Sequence, residues 1–315
     1  MKAVMGARLY VGMTDNDWFH FLAEQKPDEV NFWRPGGKQS FAVLTPGDPF
    51  LFKLHSPDDY IVGGGHFVRF SRLPVDLAWE VFGIKNGAAT LEAFRSKILS
   101  YRRRAGDGSA NPMIGCIILT EPFFFEPEGW FVAPEWHRSI VQGKGYDLNS
   151  PVGASLLAQV SERLNWRAAD SGMMAETGPR YGEPSAYAPR LGQGGFRVAV
   201  MEAYYRRCAV TGEKVLPVLE ASHIKPYSAD GPHAVNNGIL LRSDIHQLFD
   251  RGYATITEDH KFEVSKSVKQ EFDNGREYYQ YHCIGLQVLP GDAIELPSRE
   301  FVRWHNEHVY LGWGR

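Results

Sequence analysis

From Ala7 to about Gln142, short apolar runs bounded by turn residues predict strands at Arg8 to Val11, Phe41 to Leu44, Phe50 to Leu54, His66 to Phe70 and Met113 to Leu119. Helical spacing interrupts them twice. Trp18 and Leu22 face inward after Asp15, and Leu91, Phe94, Ile98 and Tyr101 share one face after Thr90. Leu156, Leu157 and Val160 predict a further helix within Ser155 to Arg163. The stretch from Ser171 to Gly195 then gives up periodicity for Gly, Pro, Ser and Ala, which predicts a linker. The expected organisation is α+β: a strand-rich module over 1–168, a linker over 169–195 and a second module over 196–315.

In the second module a helix through Val198, Met201, Tyr204 and Tyr205 leads into Cys208. Val218 to Ser222 is a short apolar run of β character, Pro226 and Gly231 break the chain, and Gly238 to Arg242 is a second strand. Ser243 or Asp244 is the expected N-cap of a helix carrying Ile245, Leu248 and Phe249 inward, with Gly252 as its stop. Tyr253 to Ile256 and Phe262 to Val264 read as a hairpin, and Phe301 to Val309 as a last amphipathic helix. No internal repeat is visible.

This second pattern places chemistry. His223 ends the first strand, Asn237 closes the loop, and His246 and Asp250, four residues apart, project from one helix face. An imidazole and a carboxylate suit a divalent cation that keeps positions open for phosphate oxygens and water. His223 is then free as general base, because a neutral imidazole titrates close to working pH, while Asn237 holds the loop and orients it. A single histidine is more often a core residue than a catalyst; four positions in order outweigh that.

The segment C-A-V-T-G to D-I-H-Q-L-F-D-R-G, about fifty residues, resembles the HNH nuclease family. The resemblance implies a ββα-metal fold with His223 as general base, Asn237 as structural residue, His246 as metal ligand and Asp250 as a further ligand one helical turn on. Two departures stand out. Many members carry Asp or His as a ligand just before the base, where this chain has Ser222, a weaker neutral donor. Cys208 also lacks the partner cysteines that hold a structural zinc in many relatives, so no zinc is expected. The expected ion is Mg or Mn, with Ni or Co as further options.

Composition sets bounds. A chain of 315 residues, 43% hydrophobic, can bury two cores. A formal net charge of −3 does not advertise a nucleic-acid binder, so phosphate contacts must come from local clusters. Cys116, Cys208 and Cys283 are far apart and odd in number, which implies neither a disulfide framework nor a cysteine metal knot and fits a reducing cytosol. No apolar run approaches a bilayer span and Gly6, Arg8 and Gly12 interrupt any signal core, so the expectation is a cytoplasmic protein with no membrane partner. Gly63 to Gly65 reads as a turn rather than a phosphate loop, since no Lys-Ser or Lys-Thr pair follows, and no nucleotide cofactor is expected. His305 and His308, three apart, lack companions for a metal site.

N-F-W-R-P-G-G-K-Q-S at 31–40, G-D-P-F-L-F-K at 47–53 and Y-I-V-G-G-G-H-F at 60–67 resemble the EVE domain of the PUA-like superfamily, over roughly the first 165 residues. That resemblance implies a small β-barrel that reads modified bases. Joined to an HNH module, it implies a type IV-like, modification-dependent restriction endonuclease that flips methylated or hydroxymethylated cytosine out of double-stranded DNA and cuts nearby, leaving a five-prime phosphate. Burying one methyl group is worth only about 0.8 kcal/mol, so discrimination needs a pocket that stacks the ring and reads its pairing edge. Trp33 is the first candidate for its wall, with Trp18, Phe41, Tyr60 and His66 behind it. Arg34, Lys38, Arg69, Arg102, Arg103, Arg104 and Lys225 are candidates for phosphate contacts. A double-strand break requires two such sites, most simply a homodimer. Two other readings remain open: a modified-nucleic-acid binding protein whose HNH site is crippled by Ser222, and a nuclease acting on modified RNA.

Overall fold

Alternation sends the strands of the first unit to two cores. In the computed structural model, which describes residues 8–36, 40–103, 109–170 and 191–312, the chain divides into two units, 1–190 and 191–315. The first contains β1 (Arg8–Thr14), α1 (Asn16–Gln25), β2 (Glu29–Arg34), β3 (Pro49–Leu54), β4 (Tyr60–Pro74), α2 (Val75–Phe82), α3 (Leu91–Arg103), β5 (Met113–Phe124), β6 (Phe131–Val132), β7 (Gly143–Asp147) and α4 (Pro151–Asp170). Its sheet runs β2-β5-β4-β3-β1-β7, with β6 on β4 and only the β1/β3 pair parallel. Tyr10, Phe50 and Phe52 enter one core; Leu9, Val11 and Leu51, one step out of phase, enter the other, which Leu156 and Val160 of α4 cover.

The sheet curls on itself. Phe32 of β2 and Phe50 of β3 have ring centroids 4.7 Å apart although β5 and β4 lie between their strands, and Arg34 of β2 donates from Nη2 to the Tyr10 hydroxyl of β1 at 3.1 Å. Gly63 to Gly65 let neighbouring strands approach closely. They lie inside β4 rather than in a turn, where a Cβ on Gly63 or Gly64 would collide with the carbonyl oxygen of Phe123 or Phe50. Phe41 to Leu44 is no strand: both end residues are buried from an irregular segment. The α+β class is the one the periodicity predicts.

The second unit opens with α5 (Gln193–Ala203). β8 (Leu219–His223) and β9 (Gly238–Arg242) pair antiparallel from Leu219↔Arg242 to His223↔Gly238, and α6 (Ser243–Asp250) follows β9 directly. β10 (Ala254–Ile256) and β11 (Lys261–Val264) form the expected hairpin. α7 (Ser267–Phe272), α8 (Arg276–Tyr279), β12 (Ile284–Gly285) on β11, and α9 (Arg299–His308) complete it. The start of α6 differs from expectation: Arg242 holds the cap position, and Asp244 binds its guanidinium at 2.6 and 2.8 Å instead of capping the backbone. Among the described residues no helix is long and apolar enough to cross a membrane.

Candidate active site

Two spacings match where β8 meets α6. Alternate strand residues stand about 6.7 Å apart, and helix residues four apart rise about 6.0 Å, so one pair can address the other. Glu220 and Ser222 are the strand pair, His246 and Asp250 the helix pair. His246 Nδ1 lies 2.5 Å from Glu220 Oε2, His246 Nε2 lies 3.1 Å from Asp250 Oδ2, and the Ser222 hydroxyl donates toward Asp250 Oδ1 at 3.3 Å. Burial works against the His246 cation, but the hydrogen bonds to Asp250 and Glu220 overcome it and raise its pKa above the ordinary histidine range.

His223, the next residue along β8, alternates away from Ser222. Its ring stacks on Phe196 of α5 at 3.9 Å and 13° between planes, and its Nε2 lies 3.0 Å from His233 Nδ1. Burial, then repulsion from His233, lowers its pKa to about 4 even though Asp250 pulls the other way; His223 is therefore neutral near pH 7 and within electrostatic reach of Asp250 and His246. His233 in turn lies flat on Tyr227, at 4.7 Å and 11°.

Asn237 is fully buried and ties the intervening loop. Its Oδ1 accepts from the Lys225 amide, and its Nδ2 donates to the carbonyls of Lys225 and Pro232, each at 2.9 Å. Lys225 extends its ammonium to 5.8 Å from the Trp304 ring.

The donor set fits a divalent cation: a carboxylate flanked by an imidazole nitrogen and a hydroxyl, with His246 Nδ1 held by Glu220 so that Nε2 is the nitrogen left for an ion. No cluster of three His, Cys, Asp or Glu side chains with metal-binding spacing occurs among the described residues, so an ion held by His246 and Asp250 would need solvent or phosphate oxygens to complete its coordination. Cys208 is buried, and its Sγ accepts from the backbone amides of Thr211 and Arg242 at 3.4 and 3.3 Å. His305 is a core residue: its ring stacks on Phe249 at 3.9 Å, with Thr255 Oγ1 at 2.9 Å from one nitrogen and the Phe249 carbonyl at 3.1 Å from the other. His308 is exposed against Trp304.

Residues 208–257 match the family model described as HNH endonuclease. The second unit carries an HNH endonuclease module. No curated protein matches the chain. Solved structures similar to it include the ASCH protein from Zymomonas mobilis, at 13% identity over 48% of this chain and 94% of that one, TM-score 0.30. A variant of that protein gives 10% identity over 48% and 96%, TM-score 0.32. The modification-dependent TagI restriction endonuclease gives 14% identity over 90% of this chain and 75% of its own, TM-score 0.28. The HNH assignment rests on the family match and on the geometry above.

The first unit does not bring the proposed pocket residues together. Trp18 is 3% exposed and wedged against Phe32 and Phe52, Phe41 packs on Tyr10 and Phe67, and His66 is buried with Nδ1 3.3 Å from the Gly47 carbonyl; these are core positions rather than pocket walls. Trp33 donates its indole N–H to the Asn86 carbonyl at 2.9 Å and packs on Phe94 and Tyr101. Tyr60 is the exposed residue of the five, its ring 6.3 Å from Trp130. Trp130, with Phe19, His20 and Phe124, lines a groove of about 310 Å³ whose rim includes Lys26 and Glu126. Sequence reading missed that groove because its walls come from α1 and from the segment after β5. Among the phosphate candidates, Arg34 lies over the Phe41 ring at 5.2 Å, and Arg102 donates to the Pro35 and Met113 carbonyls at 2.7 and 2.6 Å, which commits it to the protein's own backbone. Lys38, Arg104 and the Arg103 side chain lie outside the described residues.

Glu220 and His233 were also missed. The alternation in L-E-A-S-H already puts Glu220 on the face of Ser222. No spacing rule points to His233, whose position depends on the loop path that Asn237 fixes.

Proposed function

We propose that the chain is a modification-dependent DNA endonuclease in which the 1–168 module reads modified cytosine and the 196–315 module, joined through 169–195, hydrolyses a nearby phosphodiester. The observation that carries the hydrolytic half is the seating of His246 and Asp250 of α6 against Glu220 and Ser222 of β8, with neutral His223 at the strand end beside them. His223 takes a proton from the attacking water, His246 and Asp250 would hold the ion, Ser222 braces Asp250, and Asn237 fixes the loop that carries His233 and Lys225. A divalent cation, if held there, would supply charge stabilisation to the phosphate. Lys225, whose ammonium lies 5.8 Å from the Trp304 ring centroid, is the residue we assign to a backbone phosphate.

The base-reading half is supported by the curled sheet and by the aromatic groove. Trp130 and His20 offer ring faces on which a base can stack, and Glu126 and Lys26 offer an acceptor and a donor for its pairing edge. This relocates the pocket from the Trp33 region to the opening between α1 and the end of β5. Two strands are cut by two copies of the chain, which makes the working form a homodimer.

The test is digestion of plasmid carrying unmodified, methylated, hydroxymethylated or glucosylated cytosine, with Mg, Mn, Ni or Co supplied. Cleavage restricted to modified DNA supports the reading. Cleavage of all substrates alike removes the sensing half, cleavage of RNA in preference reassigns the substrate, and no cleavage with any ion leaves a binding protein.

A further inference from the structure

A ring outside the four motif positions stands next to the base. His233 comes from the loop between β8 and β9, and its Nδ1 meets His223 Nε2 at 3.0 Å. Both planes are held from outside the pair: Phe196 lies flat against His223 and Tyr227 flat against His233, while the two imidazoles are tilted 60° to one another at 5.0 Å. The loop that delivers His233 is pinned near both ends by the three Asn237 hydrogen bonds to Lys225 and Pro232. This is a built contact rather than a chance approach of two surface side chains.

A contact between two ring nitrogens at that distance holds one hydrogen, so it selects a tautomer for each ring. If His223 Nε2–H donates, His223 Nδ1 carries a bare lone pair; if His233 donates, the proton of His223 sits on Nδ1 and the lone pair is spent inside the contact. His223 Nδ1 has no protein partner among the described residues, so it is the nitrogen that can meet water. Only the first arrangement makes it a base there.

We propose that His233 is the positioning residue of the general base: it accepts the Nε2–H of His223, and so keeps the opposite nitrogen unprotonated and aimed at the attacking water. This rests on the reading of His223 as the base. When His223 gains the proton of water on Nδ1, its Nε2–H remains donated to a neutral acceptor, and the imidazolium is held in place without a carboxylate. Tyr227, 69% exposed, keeps the acceptor ring from turning and leaves its own outer face to substrate.

The test uses the full chain with Mn or Mg and a modified-cytosine duplex, together with nitrogen-15 spectra of histidine-labelled protein, His223 being assigned from the His223→Gln spectrum. In the wild type, His223 is expected with its proton on Nε2; a proton on Nδ1 overturns the proposal without any variant having to fold. His233→Phe keeps a ring on Tyr227 but offers no acceptor. It is expected to lower kcat about 10- to 100-fold with KM within about 2-fold, and to give His223 mixed tautomers. His233→Asn returns an acceptor oxygen and is expected to recover most of kcat. Wild-type kcat in His233→Phe, while His223→Ala is inactive, overturns the positioning role alone. Wild-type cleavage by His223→Ala overturns the reading of the base beneath it.

Discussion

Replacing Asn237 by Ala removes the side chain that closes the loop between β8 and β9. Three hydrogen bonds at 2.9 Å are lost from a fully buried position, two of them to carbonyl oxygens and one from the Lys225 amide. Each such bond contributes about 1 kcal/mol net, and a group left buried without a partner costs about 1–3 kcal/mol. Lys225 and Pro232 are partly exposed, and water can reach some of their backbone, so the lower end applies: about 3 kcal/mol for the unit. Asn237→Asp removes both donors and sets a carboxylate oxygen against two carbonyls, and is expected to cost at least as much near pH 7. Urea-dependent hydrogen exchange read by mass spectrometry separates peptides around 224–242 from those of the other unit, so the loss is measured where it arises. A loss below about 1 kcal/mol in Asn237→Ala, or unchanged protection of the Lys225 amide, would refute the claim that this residue holds the loop.

The other expectations concern the cation, pH and the groove. Glu220→Gln leaves an acceptor for His246 but no charge, and is expected to weaken divalent binding about 10-fold or more, measured by titration calorimetry with Mn; unchanged affinity sinks the orienting role of Glu220. Because the His246 proton must leave before an ion binds and its pKa is raised, the same titration is expected to show affinity climbing from pH 6 to pH 8. For stability, His305 is 2% exposed and has its pKa lowered to about 4, so it stabilises above the unfolded value of 6.5 and the contribution is lost as pH falls from 6.5 toward 4. At pH 5 the HNH unit is expected to be about 2 kcal/mol less stable than at pH 7.5 on this account, with His223 adding to the loss. His246 acts in the opposite sense, its contribution being present below pH 6.5 and lost above it; a unit more stable at pH 5 than at pH 7.5 would show that its effect dominates and contradict the expected loss. Trp130→Ala is expected to lower the ratio of cleavage of modified to plain DNA while leaving the HNH site intact; an unchanged ratio removes the groove from base reading.

Much of the nuclease module was legible because its signals are local. The i,i+4 spacing of His246 and Asp250 is written in the chain, and β9 spans Gly238–Arg242 as the apolar run predicts. The first unit was less legible for two physical reasons. An apolar run reports burial rather than conformation, which is why Phe41 and Leu44 are buried without forming a strand. Glycines read as breaks, yet in β4 they are what lets Phe123 and Phe50 backbone approach, so the 15-residue strand contains both the His66 to Phe70 run and the glycines that predict a turn. Aromatic residues gave the same ambiguity. Trp18 and Phe41 fill the core, whereas Trp130, which the motifs did not include, lines a groove formed only when α1 packs beside the end of β5.

With His223 as the base beside an ion held by His246 and Asp250, the most direct measurement is metal-dependent cleavage of modified DNA by the wild type, His223→Ala and His246→Ala side by side. Wild-type cutting with a loss of about 100-fold or more in each variant is the predicted result. Cutting by His223→Ala at the wild-type rate, or a wild type inert with every divalent ion tried, would contradict it.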